Sequence, residues 1–167
     1  ELILIGSFYD STPHTRHPSV SAAVNNKARL ATLEEHNLSF TDYEGPTSIH
    51  SVLEHTCEEV GISSISLWSG TPHYLPTANP KAWRAVLGKL LPILGIDLDM
   101  RDLLRRGENL DRQVEQALTQ NPKLQQYVRQ LEQSLENQED NQPIKSDEII
   151  KDLEDFLRNK QQGGLGT

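Results

Sequence analysis

The stretch that decides the fold pairs a helix with a strand: "GPTSIHSVLEHTCEEVG" (45–61) runs directly into "ISSISLWSG" (62–70). Thr47 or Ser48 can cap the start of the helix, and Gly61 suits the left-handed position at its end. Apolar side chains recur at helical spacing on one face. They are Ile49, Val52, Leu53, Cys57 and Val60. We predict an amphipathic helix with this face, including Cys57, in the core, followed by a strand.

Further strands precede this helix in the sequence. "ELILIGSF" (1–8) is a short, continuous apolar run, which is typical of a central parallel strand covered on both faces. "SVSAAVNN" (19–26) and "LSFTDYEG" (38–45) are weaker strand candidates. The strand–helix–strand order over 38–70 predicts a right-handed parallel crossover. The predicted fold class is therefore α/β, a three-layer sandwich with a mostly parallel sheet.

Helical patterns dominate the chain after residue 78. Asn79 and Pro80 begin the first helix and Gly95 ends it. Its side chains predicted to pack on the sheet are Trp83, Val86, Leu87, Leu90 and Leu91. A helical hairpin is predicted over 99–137, because two apolar seams flank Asn121 and Pro122. The seams are Leu110, Val114, Ala117 and Leu118, then Leu124, Val128, Leu131 and Leu135.

The predicted domain organisation follows from these patterns. Residues 1–98 are assigned to the C-terminal part of the α/β domain. We expect its N-terminal strands to lie before Glu1, since a first strand needs neighbours for its backbone groups. After the hairpin, 138–145 is a polar linker, 146–160 an amphipathic helix and 161–167 a flexible tail.

Composition and charge exclude several classes of function. The net charge is −8 and the pI about 5.2, which argues against binding to nucleic acid or anionic membranes. Cys57 is the only cysteine, so no intramolecular disulfide can form and a reducing, cytoplasmic location is predicted. No apolar run reaches the ~20 residues of a membrane span.

Two proline-histidine turns are the candidate functional site. "STPHTRHP" (11–18) and "SGTPHYLP" (69–76) each follow a predicted strand at its carboxyl end, where open α/β sheets bind ligands. His14, Arg16, His73 and Tyr74 could therefore converge, with Arg16 gripping a carboxylate or phosphate and a histidine acting as general base. Alternatively, proline and a hydrogen-bonded histidine simply stiffen each turn.

Metal and cofactor chemistry is not indicated by the sequence. His50 and His55 are five residues apart, which does not align them on one helix face, and solvated side chains explain them better. No glycine-rich phosphate loop and no serine nucleophile elbow is present. We predict no metal and no cofactor.

Four motifs together resemble a known family. They are "TPHTR", "GPTSIHSVLEHTCEEVGI", "SGTPHYLP-x-x-NP" and "SDEIIKDLEDFLR". Their order and spacing resemble the C-terminal part of the proteasome assembly chaperone two family, in its bacterial, actinobacterial-like branch. The resemblance implies a three-layer α/β sandwich akin to phosphorylase/hydrolase folds, with about a hundred residues before the first strand seen here.

The resemblance also implies a non-catalytic role with protein partners, and a homo-oligomer, specifically a trimer. His14, Arg16, His73 and Tyr74 match the family's motif positions. Two departures, His17 before Pro18 and Ala23 where a histidine is common, count against a shared catalytic site.

Two hypotheses about function follow. The first is a non-catalytic, assembly-chaperone-like protein that contacts other proteins through its helices. The second is a small-ligand binder, or an enzyme of hydrolase or ligase type, whose pocket lies at the two proline-histidine turns.

Overall fold

The computed structural model of the protein describes residues 1–26, 38–40, 48–75, 77–137, 151 and 153–158. The strands are β1 (Leu2–Asp10), β2 (Val20–Val24), β3 (Ser39–Phe40) and β4 (Ser64–Pro72). The helices are α1 (Ile49–Glu59), α2 (Pro80–Leu94), α3 (Arg101–Gln120) and α4 (Pro122–Asn137). Residues 151 and 153–158 are also helical. The protein is thus of mixed α/β class. In the described ranges, no helix is long and apolar enough to cross a lipid bilayer.

The four strands form one sheet in the order β1-β4-β2-β3. Strand β2 pairs in parallel with β3 and antiparallel with β4, where Ala22 lies opposite Leu67. At the two ends of β1, Leu2 N donates to Ser63 O and Asp10 O accepts from His73 N, so β1 and β4 run in the same direction. The sheet therefore joins two parallel pairs through one antiparallel pair.

This topology corrects one prediction about the sheet. β3 and β4 run in opposite directions and are separated by β2, so the predicted parallel crossover between them is wrong. Among the described strands β1 is an outer one, and it exposes Ile5 (54%), Phe8 (41%) and Tyr9 (68%). Its central position stays a prediction.

Packing divides the chain into two compact units that interleave along the sequence. The first unit comprises the described parts of Glu1–Phe8, Ser19–Gly70 and Ala82–Asp99. The second unit comprises the described parts of Tyr9–Pro18, Thr71–Lys81 and Met100–Thr167. The core of the first unit is Ala22, Leu38, Ile65, Leu67, Val86 and Leu90. The domain boundaries at 98 and 137 stay predictions, and the linker 138–145 and tail 161–167 lie outside the described residues.

Short-range signals place the helix ends as expected. The Ser48 hydroxyl accepts from Ser51 N at the start of α1, and the Asn79 side chain accepts from Lys81 N in α2. Asn121 separates α3 from α4 and caps α4 through its side-chain oxygen, which accepts from Leu124 N. Gly61 and Gly95 have φ of 72° and 63°, the left-handed conformation that glycine adopts without a Cβ penalty.

Helix α1 differs from the prediction in the face that it buries. Of the five predicted stripe residues, only Cys57 is buried. The side of α1 that meets β4 is polar, because His50 Nδ1 lies 2.8 Å from Ser66 Oγ and the His50 ring packs 4.4 Å from the Trp68 ring. Trp83 of α2, predicted to pack on the sheet, is 48% exposed.

Helices α3 and α4 bury their predicted seams in the core of the second unit, except for Leu135, which is 44% exposed. This core also takes in Leu153 and Leu157 of the C-terminal helical residues. Its buried members are Tyr74, Leu75, Leu110, Val114, Ala117, Leu118, Leu124, Tyr127, Val128, Leu131, Leu153 and Leu157. The three-layer arrangement stays a prediction.

Candidate functional site

The two proline-histidine turns lie side by side at the carboxyl ends of β1 and β4. The first turn closes through Arg16 N, which donates to Pro13 O at 3.0 Å. The second is tied to the end of β1, because Asp10 O accepts from both His73 N and His73 Nδ1, each at 3.1 Å. The parallel direction of β1 and β4 is what brings the turns together, as the sequence predicts.

His14 and Tyr74 form the buried centre of this site. The Tyr74 hydroxyl accepts from His14 N at 2.7 Å and lies 2.8 Å from His14 Nδ1. Glu115 Oε1 lies 3.4 Å from His14 Nε2 and can only accept, so Nε2 carries a proton. In the neutral imidazole, Nδ1 then accepts from the Tyr74 hydroxyl. Both ring nitrogens therefore have a partner when His14 is neutral.

His73 is held in the opposite tautomer. Its Nδ1 can only donate to the carbonyl of Asp10, so Nε2 carries the lone pair. The Tyr127 hydroxyl lies 2.5 Å from His73 Nε2 and donates to it. A tyrosine hydroxyl thus donates a hydrogen bond to one ring nitrogen of each neutral histidine.

Edge-to-face packing joins these four rings into one cluster. The His14–Tyr74, His73–Tyr74, His73–Tyr127 and Tyr74–Tyr127 pairs have centroid separations of 6.0, 5.6, 5.5 and 6.3 Å and interplanar angles of 78–87°. Offset arrangements of this kind are favoured by the ring quadrupoles. Each ring is therefore held by its faces as well as by its polar atoms.

Burial shifts the protonation equilibria of the central pair. His14 is 3% exposed, and loss of hydration lowers its pKa, although the carboxylates of Asp111 and Glu115 partly oppose this. Tyr74 is fully buried, and the same loss of hydration raises the pKa of its hydroxyl. Both side chains are therefore uncharged near neutral pH.

Lys81 braces the first turn. Its Nζ lies 2.9 and 3.1 Å from the two carboxylate oxygens of Asp111, and it also donates to His14 O. A Cβ at Gly107 would stand 2.8 Å from Lys81 Cγ, so a side chain at that position would displace the lysine stem. Glycine in the middle of α3 is explained by this close approach.

Exposed contacts extend from the first turn to α4. Thr15 Oγ1 donates to Glu132 Oε1 at 2.7 Å, and the Arg16 guanidinium lies 3.4 Å from Glu136 Oε1. The Arg16 side chain is half exposed. Of the four predicted site residues, His14, His73 and Tyr74 come together, whereas Arg16 points to the surface and pairs with α4. Ligand binding by these four residues stays a prediction.

The arrangement is better suited to holding the turns than to moving protons. A general base must lie within hydrogen-bond reach of a reacting proton, but both ring nitrogens of His14 and of His73 face groups of the protein itself. In the described part of the chain, no group of three His, Cys, Asp or Glu side chains could hold a metal ion. A cavity of about 260 Å³ lies elsewhere in the second unit, among Ala117, Asn121, Leu124, Leu153 and Phe156.

Sequence reasoning missed the partners of the two turns. Tyr127 carried one usable signal, since it lies on the inner face of α4 beside Leu124 and Val128 and is the only aromatic residue between 84 and 155. Asp10, Lys81, Asp111 and Glu115 carried none. They come from three separate parts of the chain, and only folding places them around His14 and His73.

Comparison with known proteins identifies the family. The model of the PAC2 family matches residues 1–118. A PAC2 family protein from Streptomyces avermitilis is 31% identical in sequence to this chain, and the two structures superpose with a TM-score of 0.62. The match covers 68% of this chain and 48% of the Streptomyces protein. A proteasome-assembly chaperone homologue from Mycobacterium tuberculosis is 32% identical, with a TM-score of 0.61. This match covers 75% of this chain and 52% of the Mycobacterium protein.

A more distant structure supports the fold alone. PbaB from Pyrococcus furiosus, an archaeal proteasome activator, shares 22% identity and a TM-score of 0.57, covering 68% of this chain and 49% of its own. No protein with a curated description matches the chain.

These matches define the class of protein: it has a mixed α/β fold that a proteasome-assembly chaperone homologue shares. The chain belongs to the PAC2 family, which confirms the resemblance of its motifs. It spans about half the length of the two bacterial structures.

Proposed function

We propose that the chain is a non-catalytic, protein-binding module with an assembly-chaperone-like role in the cytoplasm. The observation that carries the proposal is the internal pairing of His14, His73, Tyr74 and Tyr127. These are the groups that a pocket at the turns would need for acid–base chemistry, and their polar atoms are engaged by one another and by the chain. Their pairing supports a structural task for the turns.

The relatives supply the class of partner. One bacterial relative, 32% identical over 75% of this chain, is a proteasome-assembly chaperone homologue. By extension we propose that this chain contacts proteasome subunits or their assembly intermediates, and that it associates with further copies of itself, as a trimer by analogy with its family.

The experiment is affinity capture of the tagged chain from the cells that produce it, with quantitative mass spectrometry and an untagged control. We expect enrichment of proteasome subunits or of proteins bound to them. Light scattering after gel filtration measures self-association in the same preparation. Absence of every proteasome-related protein from the captured set would contradict the proposed partner.

A matched pair of variants tests the catalytic or ligand-binding alternative. Arg16 and Arg105 are both exposed and each lies 3.4 Å from a carboxylate oxygen. If small carboxylates or phosphate raise the melting temperature, and Arg16→Ala abolishes the shift while Arg105→Ala keeps it, the turns bind an anion and the purely structural role proposed for them is overturned. We expect no shift for either variant or for the unmodified chain.

A further inference from the structure

Helix α1 meets the sheet along a single line of side chains. His50, Glu54 and Cys57 are the only residues of Ile49–Glu59 that are not exposed, and of these only Cys57 is buried. Spacings of four and three residues place them one above another on one face of the helix. Helix α3, by contrast, buries five residues. The apolar area that holds α1 in place is therefore small.

The contact between α1 and β4 is also polar. His50 Nδ1 lies 2.8 Å from Ser66 Oγ, and the His50 ring packs 4.4 Å from the Trp68 ring. Ser64 lies two residues before Ser66 in β4, so both side chains point to the face of the sheet that α1 covers. Ser64 Oγ and Glu54 Oε1 are buried, yet neither has a hydrogen-bond partner among the residues that the structure describes. Such oxygens lose water without gaining a hydrogen bond, which disfavours the closed arrangement.

The chain that follows α1 is anchored more firmly than α1 itself. The Asn25 side chain donates to Ile62 O at 2.9 Å and accepts from Ser64 N at 2.8 Å. Its contact with α1 is longer, since Asn25 Nδ2 lies 3.5 Å from Glu54 O. Gly61, with φ of 72°, stands between the helix and the anchored residues. The boundary between the two parts therefore falls at a residue with wide conformational freedom.

We propose that α1 opens from the sheet as a unit, pivoting at Gly61, while β4 stays paired with β2. Opening hydrates the two unpaired oxygens and exposes the Cys57 thiol, and it loses the contact between His50 and Ser66. Elements with few buried apolar contacts are the ones that open below the free energy of global unfolding. The inference goes beyond the proposed function and does not depend on it.

The test follows the reaction of Cys57, the only cysteine of the chain, with the disulfide reagent DTNB. The reaction rate in buffer, divided by the rate for the chain unfolded in urea, gives the fraction of molecules in which the thiol is accessible. Urea unfolding followed by circular dichroism gives the fraction that is globally unfolded. We expect the accessible fraction to be at least tenfold larger, and to change little at low urea because opening exposes little surface.

Ser64→Ala and Ser66→Ala are a matched pair, because both serines are buried on the same face of β4. Ser64→Ala removes an oxygen that has no partner, so it should slow the reaction of Cys57 several-fold. Ser66→Ala removes the partner of His50 Nδ1, so it should accelerate the reaction several-fold. Equal rates for the two variants, or an accessible fraction no larger than the globally unfolded one, would each overturn the proposal.

If Ser66→Ala fails to fold, His50→Ala removes the same contact from the side of α1. Its control is His55→Ala, because His55 is an exposed histidine of the same helix. We expect His50→Ala to accelerate the reaction several-fold and His55→Ala to leave it unchanged. Equal effects of the two variants would overturn the proposal. These outcomes do not depend on whether proteasome subunits are captured.

Discussion

Helix α1 and the α3–α4 pair have the same kind of sequence pattern and opposite burial. In α3, Leu110, Val114, Ala117 and Leu118 are all buried. In α1, the stripe of comparable spacing leaves only Cys57 buried. Amphipathic spacing therefore shows that one face of a helix is apolar, but not that the face is covered. Coverage depends on whether a neighbouring element offers apolar surface, as α4 and Leu153 do for α3.

The contrast extends to the histidines of the two regions. His14 is packed against the α3–α4 core through Tyr74, whereas His55 of α1 lies at the surface beside Glu59. The proline-histidine turns are thus anchored in the most apolar part of the second unit. Breaking that anchor should cost far more stability than altering the stripe of α1.

The largest expected effect is the removal of a core side chain from α4. Leu124 is fully buried, so Leu124→Ala should lower the free energy of unfolding by about 2–5 kcal/mol, through lost burial and the cavity left behind. Val52→Ala on α1 should change it by less than about 0.5 kcal/mol. Urea unfolding followed by circular dichroism measures both. Similar losses for the two variants would mean that the α1 stripe is covered after all.

The next effect concerns the hydroxyl that links the two turns. Tyr74→Phe leaves His14 N and His14 Nδ1 without their buried partner, so we expect a loss of about 1–3 kcal/mol. Tyr9→Phe is the control, because Tyr9 is 68% exposed. The same urea titration applies. A Tyr74→Phe variant as stable as Tyr9→Phe would show that the hydroxyl contributes nothing to holding the turn.

The pH dependence of stability should report on His14. Burial lowers its pKa in the folded state, so between that value and the unfolded value of 6.5 the unfolded chain binds a proton that the folded chain does not. The free energy of unfolding therefore falls as the pH drops below 6.5, by at most about 1.4 kcal/mol per pH unit from this group. The ionisable neighbours that face it are Asp111, Glu115, Lys81 and Tyr74.

The measurement is urea unfolding at pH values from 8 to 5. A His14→Gln variant should lose less stability over this range than the unmodified chain, whereas His17→Gln, at an exposed position, should follow the unmodified chain. Curves for His14→Gln and the unmodified chain that stay parallel would contradict the prediction.

The smallest effect is expected at the surface of the first turn. The Arg16–Glu136 pair is exposed on both sides, so Arg16→Ala should change the free energy of unfolding by about 0.5 kcal/mol or less. Glu136→Ala should behave in the same way. A loss several times larger would place Arg16 in the network that holds the turn, beside Lys81 and Asp111.

Local features were predictable from the sequence, and most of the long-range contacts were not. The caps Ser48, Asn79 and Asn121 act through side-chain oxygens on nearby backbone N–H groups, so the sequence indicates them directly. The adjacency of the turns was also predictable, since both follow strands at the carboxyl end. The exposure of Trp83 was not, because it depends on which element lies next to the side chain in space.

By itself the sequence determined the helix ends, the apolar faces, the mixed α/β class and the family, because these depend on spacing, capping and motif order. Only the tertiary structure decided which apolar face is covered and what His14 and His73 touch. Glu115 is 101 residues from His14 along the chain, and Tyr127 is 54 from His73. Such pairs form only where packed elements bring distant residues together, and no local pattern encodes that meeting.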